Sequence, residues 1–115
     1  MHPKIVGFAL VLALGLAIAG CAKPVPAAKS AYVGEWQRPE LYLLITQDGS
    51  VKYKRLKGGG ETSVEGPLQE FDGDDFSVGI GSMSTRFDVT VPPHQLKDGS
   101  WKITVDGLEL TRTPE

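Results

Sequence analysis

Leu43-Leu44-Ile45-Thr46-Gln47-Asp48-Gly49-Ser50-Val51-Lys52-Tyr53-Lys54 is the stretch that decides the fold. Leu43 and Ile45 alternate with Leu44 and Thr46, Asp48-Gly49 turns the chain, and Val51 and Tyr53 then alternate with Lys52 and Lys54. Alternation with a period of two places one set of side chains on one face of a sheet. An Asp-Gly pair supplies the positive φ that a tight hairpin needs. The same grammar recurs downstream. Phe76, Val78 and Ile80 form one inward set, Phe87, Val89 and Val91 a second, and Trp101, Ile103 and Val105 a third. Asp106-Gly107 then turns into Leu108 and Leu110, and Val64 and Leu68 complete the inward candidates. No segment from Tyr32 onward carries an apolar repeat of 3.6 residues long enough for a helix. The expectation is an all-β domain, a small antiparallel meander of seven or eight strands. Its one apolar face and two edges require closure into a barrel or folding over into a β-sandwich.

The two ends of the domain favour closure. Tyr32-Val33-Gly34-Glu35-Trp36 opens it and Leu110-Thr111-Arg112 ends it. Together they resemble the lipocalin and calycin signature, a Gly-x-Trp on the first strand with an arginine on the last. The resemblance implies a lipocalin-like barrel in which Gly34 admits close backbone approach, Trp36 plugs one end and Arg112 packs across the indole. A guanidinium on an indole face combines cation–π attraction with free donors for nearby carbonyls. The chain is much shorter than a typical lipocalin and has no counterpart of that family's middle motif. The interior of so small a barrel is expected to be filled by its own side chains.

Ahead of the domain, Lys4 and an apolar run from Ile5 to Ala19 lead into Ile18-Ala19-Gly20-Cys21. The run has the length of a signal-peptide core and falls short of the ~20 residues of a membrane-spanning helix. Small residues before a cysteine resemble the bacterial lipobox, as in uncharacterised lipoproteins of Gram-negative bacteria. The resemblance implies cleavage before Cys21 and lipidation of its thiol. Residues 1–20 are then a lipoprotein signal peptide, 21–31 a lipidated cysteine with a Pro/Ala-rich tether, and 32–113 the β domain. Extended at ~3.1 Å per residue, the tether spans on the order of 30 Å. Two or three acyl chains anchor firmly where one is marginal. Ala22 is not the aspartate that retains such proteins at the inner membrane, so the expected address is the outer membrane, facing the periplasm.

Cys21 is the only cysteine, which excludes an intramolecular disulfide and a multi-cysteine metal site. The net charge is −2 for the whole chain and −3 once residues 1–20, with Lys4, are removed. That balance gives no reason to expect a nucleic-acid partner, and no residue pattern calls for a cofactor.

Few residues carry chemistry. His94 follows Pro92-Pro93, with Asp88 and Asp98 nearby in the chain, but no serine sits in a nucleophile elbow. Glu70, Asp72, Asp74 and Asp75 crowd one turn. The calcium-loop pattern needs a glutamate at its twelfth position, and counting from Asp72 that place holds Met83. Gly58-Gly59-Gly60 precedes no helix that could aim amides at a phosphate, and reads as a hairpin loop. Lys52, Lys54, Arg55 and Lys57 make the one basic stripe, with Lys52 and Lys54 on the outer face and Tyr53 inward. Asp48-Gly49-Ser50-Val51-Lys52-Tyr53 echoes Asp98-Gly99-Ser100-Trp101-Lys102-Ile103, through duplication or through a shared hairpin solution.

The functional expectation is a lipid-anchored envelope protein whose β domain binds or scaffolds without catalysing. Its partner surface centres on Tyr42, Leu44, Lys52 and Lys54, and the partner is an envelope protein or an acidic polymer. A protease inhibitor built on a compact lipocalin-like barrel is the alternative, and a hydrolase centred on His94 is the third reading.

Overall fold

A computed structural model describes residues 23–114 and bears out the all-β reading. Nine strands follow a 3₁₀ segment at Ala27–Tyr32: β1 (Gly34–Arg38), β2 (Leu41–Ile45), β3 (Ser50–Lys57), β4 (Gly60–Asp72), β5 (Asp75–Ile80), β6 (Met83–Phe87), β7 (Val89–Gln95), β8 (Trp101–Val105) and β9 (Leu108–Arg112). All neighbours are antiparallel, in the order β6-β5-β4-β3-β2-β1-β9-β8-β7. The ninth strand, beyond the seven or eight expected, is β6, whose Met-Ser-Thr-Arg-Phe gives no inward alternation to read.

Two bends curl this sheet into a half-barrel. Residues Gly60–Pro67 of β4 pair with β3, whereas Leu68–Asp72 pair with β5, with a register shift between Leu68 and Glu70. A bulge of this kind bends and twists a strand. The second bend lies at Asp88. β6 and β7 are the two ends of the strand order, yet only Asp88 separates them in the chain. One continuous run therefore pairs with β5 through its first half and with β8 through its second. Between them, the first and last strands pair directly, Trp36 opposite Arg112 and Gln37 opposite Thr111.

Turn chemistry explains the hairpins. Asp106 and Gly107 both have positive φ, +50° and +83°, as a two-residue hairpin between β8 and β9 requires. At Asp48-Gly49, Thr46 N donates to Ser50 O and Gly49 N to Thr46 O, both at 3.0 Å. The same two bonds recur at Leu96, Gly99 and Ser100. The repeated Asp-Gly-Ser thus marks one three-residue hairpin loop used twice, Gln47-Asp48-Gly49 and Lys97-Asp98-Gly99, each closed by its serine.

The concave side holds Trp36, Leu43, Ile45, Val51, Phe76, Val78, Phe87, Ile103 and Leu110, each at most 2% exposed. Two residues expected there are not. Val91 is 40% exposed because register shifts on either side of it break the alternation of β7. Ile80 is 63% exposed because it ends β5 at a hairpin tip where nothing packs over it. The expected tether is also corrected. Val25 is 3% exposed and belongs to the core, and Tyr32 closes the 3₁₀ segment inside it. From Val25 onward the Pro/Ala-rich stretch is docked rather than free.

Candidate functional site

The sequence signature of the two domain ends comes together in space. β1 and β9 set Trp36 opposite Arg112, and the Lys102–Thr111 pairing of β8 with β9 brings Trp101 alongside. The Arg112 guanidinium carbon lies 5.8 Å from the centre of the Trp36 ring and 4.9 Å from that of Trp101. Trp36 is fully buried and donates from Nε1 to Tyr32 O at 2.9 Å, so its polar atom is satisfied. Gly34, at φ +146°, is required here. A Cβ at that position would fall 2.7 Å from Arg112 Cδ. Trp101 as the second ring was legible only as an inward aromatic, because its nearness to Arg112 depends on the register of β8 against β9. This row of three side chains seams the first strand to the last two.

On the convex side, β2 and β3 align Tyr42 with Lys54 and Leu44 with Lys52. Cross-strand pairing on β4 then supplies the counter-charges: Lys52 Nζ lies 3.9 Å from Glu65 and Lys54 Nζ 3.4 Å from Glu61. Lys52 and Lys54, the outward half of the basic stripe, are therefore each paired with a glutamate that the sequence reading left out. Tyr42 donates to Glu35 Oε2 at 2.7 Å, and this bond to a carboxylate pushes the phenol pKa up. Shallow grooves run across the three strands, lined by Tyr42, Lys54 and Ser63 on one side and by Leu44, Thr46 and Gly66 on the other, with Lys52 and Glu65 shared. A half-buried phenol and leucine among paired charges offer an apolar anchor with a polar frame.

The remaining candidates have other employment. Arg86 on β6 gathers the crowded carboxylates, with Nη1 3.1 Å from Asp72, Nη2 2.7 Å from Asp75 and Nε 3.6 Å from Asp88. Asp75 Oδ1 also accepts from Val89 N at 2.6 Å, which with Arg86 holds its carboxyl below the usual range. These contacts fasten the bend at Asp88 to β5. Asp74 and the turn before it receive the N-terminal segment: Lys29 Nζ donates to Gly73 O at 2.7 Å and Tyr32 Oη to Asp74 O at 2.8 Å. Among the described residues no group of three or more His, Cys, Asp or Glu side chains is placed to hold a metal ion.

His94 Nδ1 lies 3.0 Å from Pro92 O, across from Lys102. Asp98 is engaged by Ser100 and Asp88 by Arg86, so the structure does not bring these carboxylates to the imidazole. Gly58 and Gly59, at φ +58° and +80°, form the β3–β4 hairpin loop, and a Cβ at either would meet nothing. Cys21 lies outside the described residues. Comparison with protein-family profiles, curated proteins and solved structures finds no significant match.

Proposed function

We propose that this chain is a lipid-anchored protein of the bacterial cell envelope, held through Cys21 at the outer membrane, whose β domain binds or scaffolds a partner without catalysis. The observation that carries the binding half is the convex face of β2, β3 and β4. Tyr42 and Leu44 lie half-buried in two adjoining shallow grooves that share Lys52 and Glu65, beside the Lys52–Glu65 and Lys54–Glu61 pairs. The concave side is occupied by the domain's own side chains, so a partner meets the outer surface. Charge balance on that face favours a protein surface of mixed charge over an acidic polymer.

The lipidation half rests on the resemblance of Ile18-Ala19-Gly20-Cys21 to a lipobox. Cys21→Ser should abolish labelling by a fatty-acid analogue and release the protein from membranes; continued labelling would refute it. For the face, a photo-crosslinking residue at position 42 or 44 of the full chain, expressed in cells, should trap a discrete partner. The same residue at position 58, in the exposed β3–β4 loop, should not. Equal products from both sites, or none from 42 and 44, would refute the assignment.

A further inference from the structure

The most exposed large apolar side chains among the described residues are Met83, at 83%, and Ile80, at 63%. They face each other across the β5–β6 hairpin, whose turn is Gly81-Ser82. From Phe76 to Thr85 the chain carries no charged side chain. β6 is also the last strand in the sheet order, so its outer edge is open. An uncharged hairpin tip with two exposed apolar side chains, at the end of the sheet, invites association, and the N-terminal segment indicates with what.

The path of that segment is fixed by contacts. The backbone of Lys23 lies so close against Gly49 that a Cβ there would collide with the Lys23 carbonyl. Val25 N donates to Gln47 O at 3.0 Å and Gln47 Nε2 donates back to Val25 O at 3.1 Å. The β2–β3 turn thus clamps the chain where it enters the domain. The same turn holds the bend of β4, because Leu68 N donates to Gly49 O at 2.7 Å. From that bend Gln69 Nε2 reaches Gly81 O at 2.9 Å, at the tip of the β5–β6 hairpin, and Leu68 pairs with Val78. The point where the N-terminal segment enters and the apolar tip therefore flank one bend of one strand. The β3–β4 loop at Gly58-Gly59 lies at the far end of the same pair of strands.

Cys21 is two residues from Lys23, at most about 7 Å of extended chain. We infer that the Ile80–Met83 hairpin tip rests in the interfacial region of the lipid bilayer, as a second contact beside the acyl chains on Cys21. The inference rests on the lipidation proposed above. With no free tether beyond Val25, acyl chains on Cys21 hold the Gly49 end of the domain against the membrane, and the nearby tip meets headgroups and upper acyl chains. Two apolar side chains in an uncharged hairpin suit that depth, and a second hydrophobic contact converts a swivelling anchor into a fixed orientation. The Asp48 carboxylate at this end is turned into its own loop, where Thr46 Oγ1 and Ser50 N donate to it.

The test uses the full lipidated chain in phosphatidylethanolamine–phosphatidylglycerol vesicles. An environment-sensitive fluorophore is attached at Ser82→Cys, with Gly59→Cys as the distant control. Acylation of Cys21 leaves the introduced thiol as the labelling site. The fluorophore at 82 should shift to the blue on reconstitution and be quenched by spin-labelled lipid at least about twofold more than the one at 59. Equal quenching at the two sites in protein that takes up a fatty-acid analogue would overturn the tip contact and leave lipidation standing. A blue shift at 82 that lipid does not quench and that grows with protein density would assign the tip to a second copy, and also overturn it. Failure to take up the fatty-acid analogue would overturn both readings.

Discussion

Arg112 and Gly34 should be coupled, and a double-mutant cycle measures the coupling. Arg112 lies over two indoles, 5.8 Å from Trp36 and 4.9 Å from Trp101, in a half-buried position. A cation–π contact contributes from ~0.5–1 kcal/mol when exposed to ~2 kcal/mol when desolvated. Two partly desolvated contacts, with the apolar stem laid over Gly34, put the cost of Arg112→Ala at about 2 kcal/mol. For a domain of this size, that lowers the melting temperature by on the order of 10 °C. Gly34→Ala acts on the same contact from the other side. Its Cβ would lie 2.7 Å from Arg112 Cδ, so the arginine side chain must shift from its place over the rings, and φ +146° adds backbone strain. Strain of this kind costs roughly 1–3 kcal/mol. Because both substitutions act on the one stack, the double variant loses it once, and the two costs should fall short of additivity by about 1–2 kcal/mol. Thermal and denaturant unfolding of the four proteins, followed by tryptophan fluorescence, supplies the numbers. Strict additivity, or an Arg112→Ala protein with unchanged melting temperature, would refute the seam between the first and last strands.

Other contacts give independent tests. Val25→Ala should destabilise the domain by about 1–2 kcal/mol, since Val25 is a buried core side chain and not part of a tether; an unchanged denaturation midpoint would return the segment to solvent. Burial, with Asp74 and Asp75 nearby, pushes the Tyr32 phenol up to about 12. A raised pKa means that its contribution is complete below the ordinary value of 10.0 and lost as pH rises from there through about 12. Tyr32→Phe, which also removes the bond to Asp74 O, should lower stability at neutral pH by about 0.5–1.5 kcal/mol and flatten the alkaline limb. Asp75 has a depressed pKa, so its contribution is present above its ordinary 3.8 and lost as pH falls through the folded value. Asp75→Asn should reduce neutral-pH stability and lessen the acid dependence below about pH 4, as read from denaturant midpoints across pH; an unchanged acid limb would remove Asp75 from the bend.

How much of this was legible follows from which signals are local. Alternation placed Leu43, Ile45, Val51, Phe76, Val78 and Ile103 inside, because each is flanked on both sides by less buried residues of the other face. Alternation failed for Val91, where Pro92-Pro93 and the flanking register shifts change the strand's phase, and for Ile80, where parity is right but the sheet has ended. Composition misled at the N-terminal segment. Pro24, Pro26, Ala27 and Ala28 read as a spacer, and the single valine between two prolines was the only sign of docking. The role of the carboxylates of Asp72 and Asp75 could not be read from their own turn, because their cation, Arg86, arrives from another strand. On the outer face, Lys52 and Lys54 were read correctly as outward. Their partners Glu61 and Glu65 depended on the β3–β4 register, which a glycine loop between polar residues leaves unspecified.

The bend at Asp88 shows why closure could be argued from the two ends of the sequence and yet take another form. Pairing of β1 with β9 does not close this sheet, because both lie in its interior. Its ends are β6 and β7, and the chain itself carries one into the other through a single residue. A covalent crossing removes the need for a hydrogen-bonded ladder there, but it must be held at its corner. Asp75 holds it from β5, accepting the Val89 amide just past the bend while pairing with Arg86 just before it. The corner and the Trp36–Arg112–Trp101 row therefore do complementary work. The row locks the middle of the sheet, and the Asp75–Arg86 clasp fixes the curl that lets that sheet enclose a core. If so, loss of the clasp should loosen β6 and β7 while leaving the β1–β9 seam intact. In Asp75→Asn, amide hydrogen exchange should rise at Val89 and along β6 while protection at Trp36 and Leu110 persists. Uniform loss of protection would instead make corner and seam one cooperative unit.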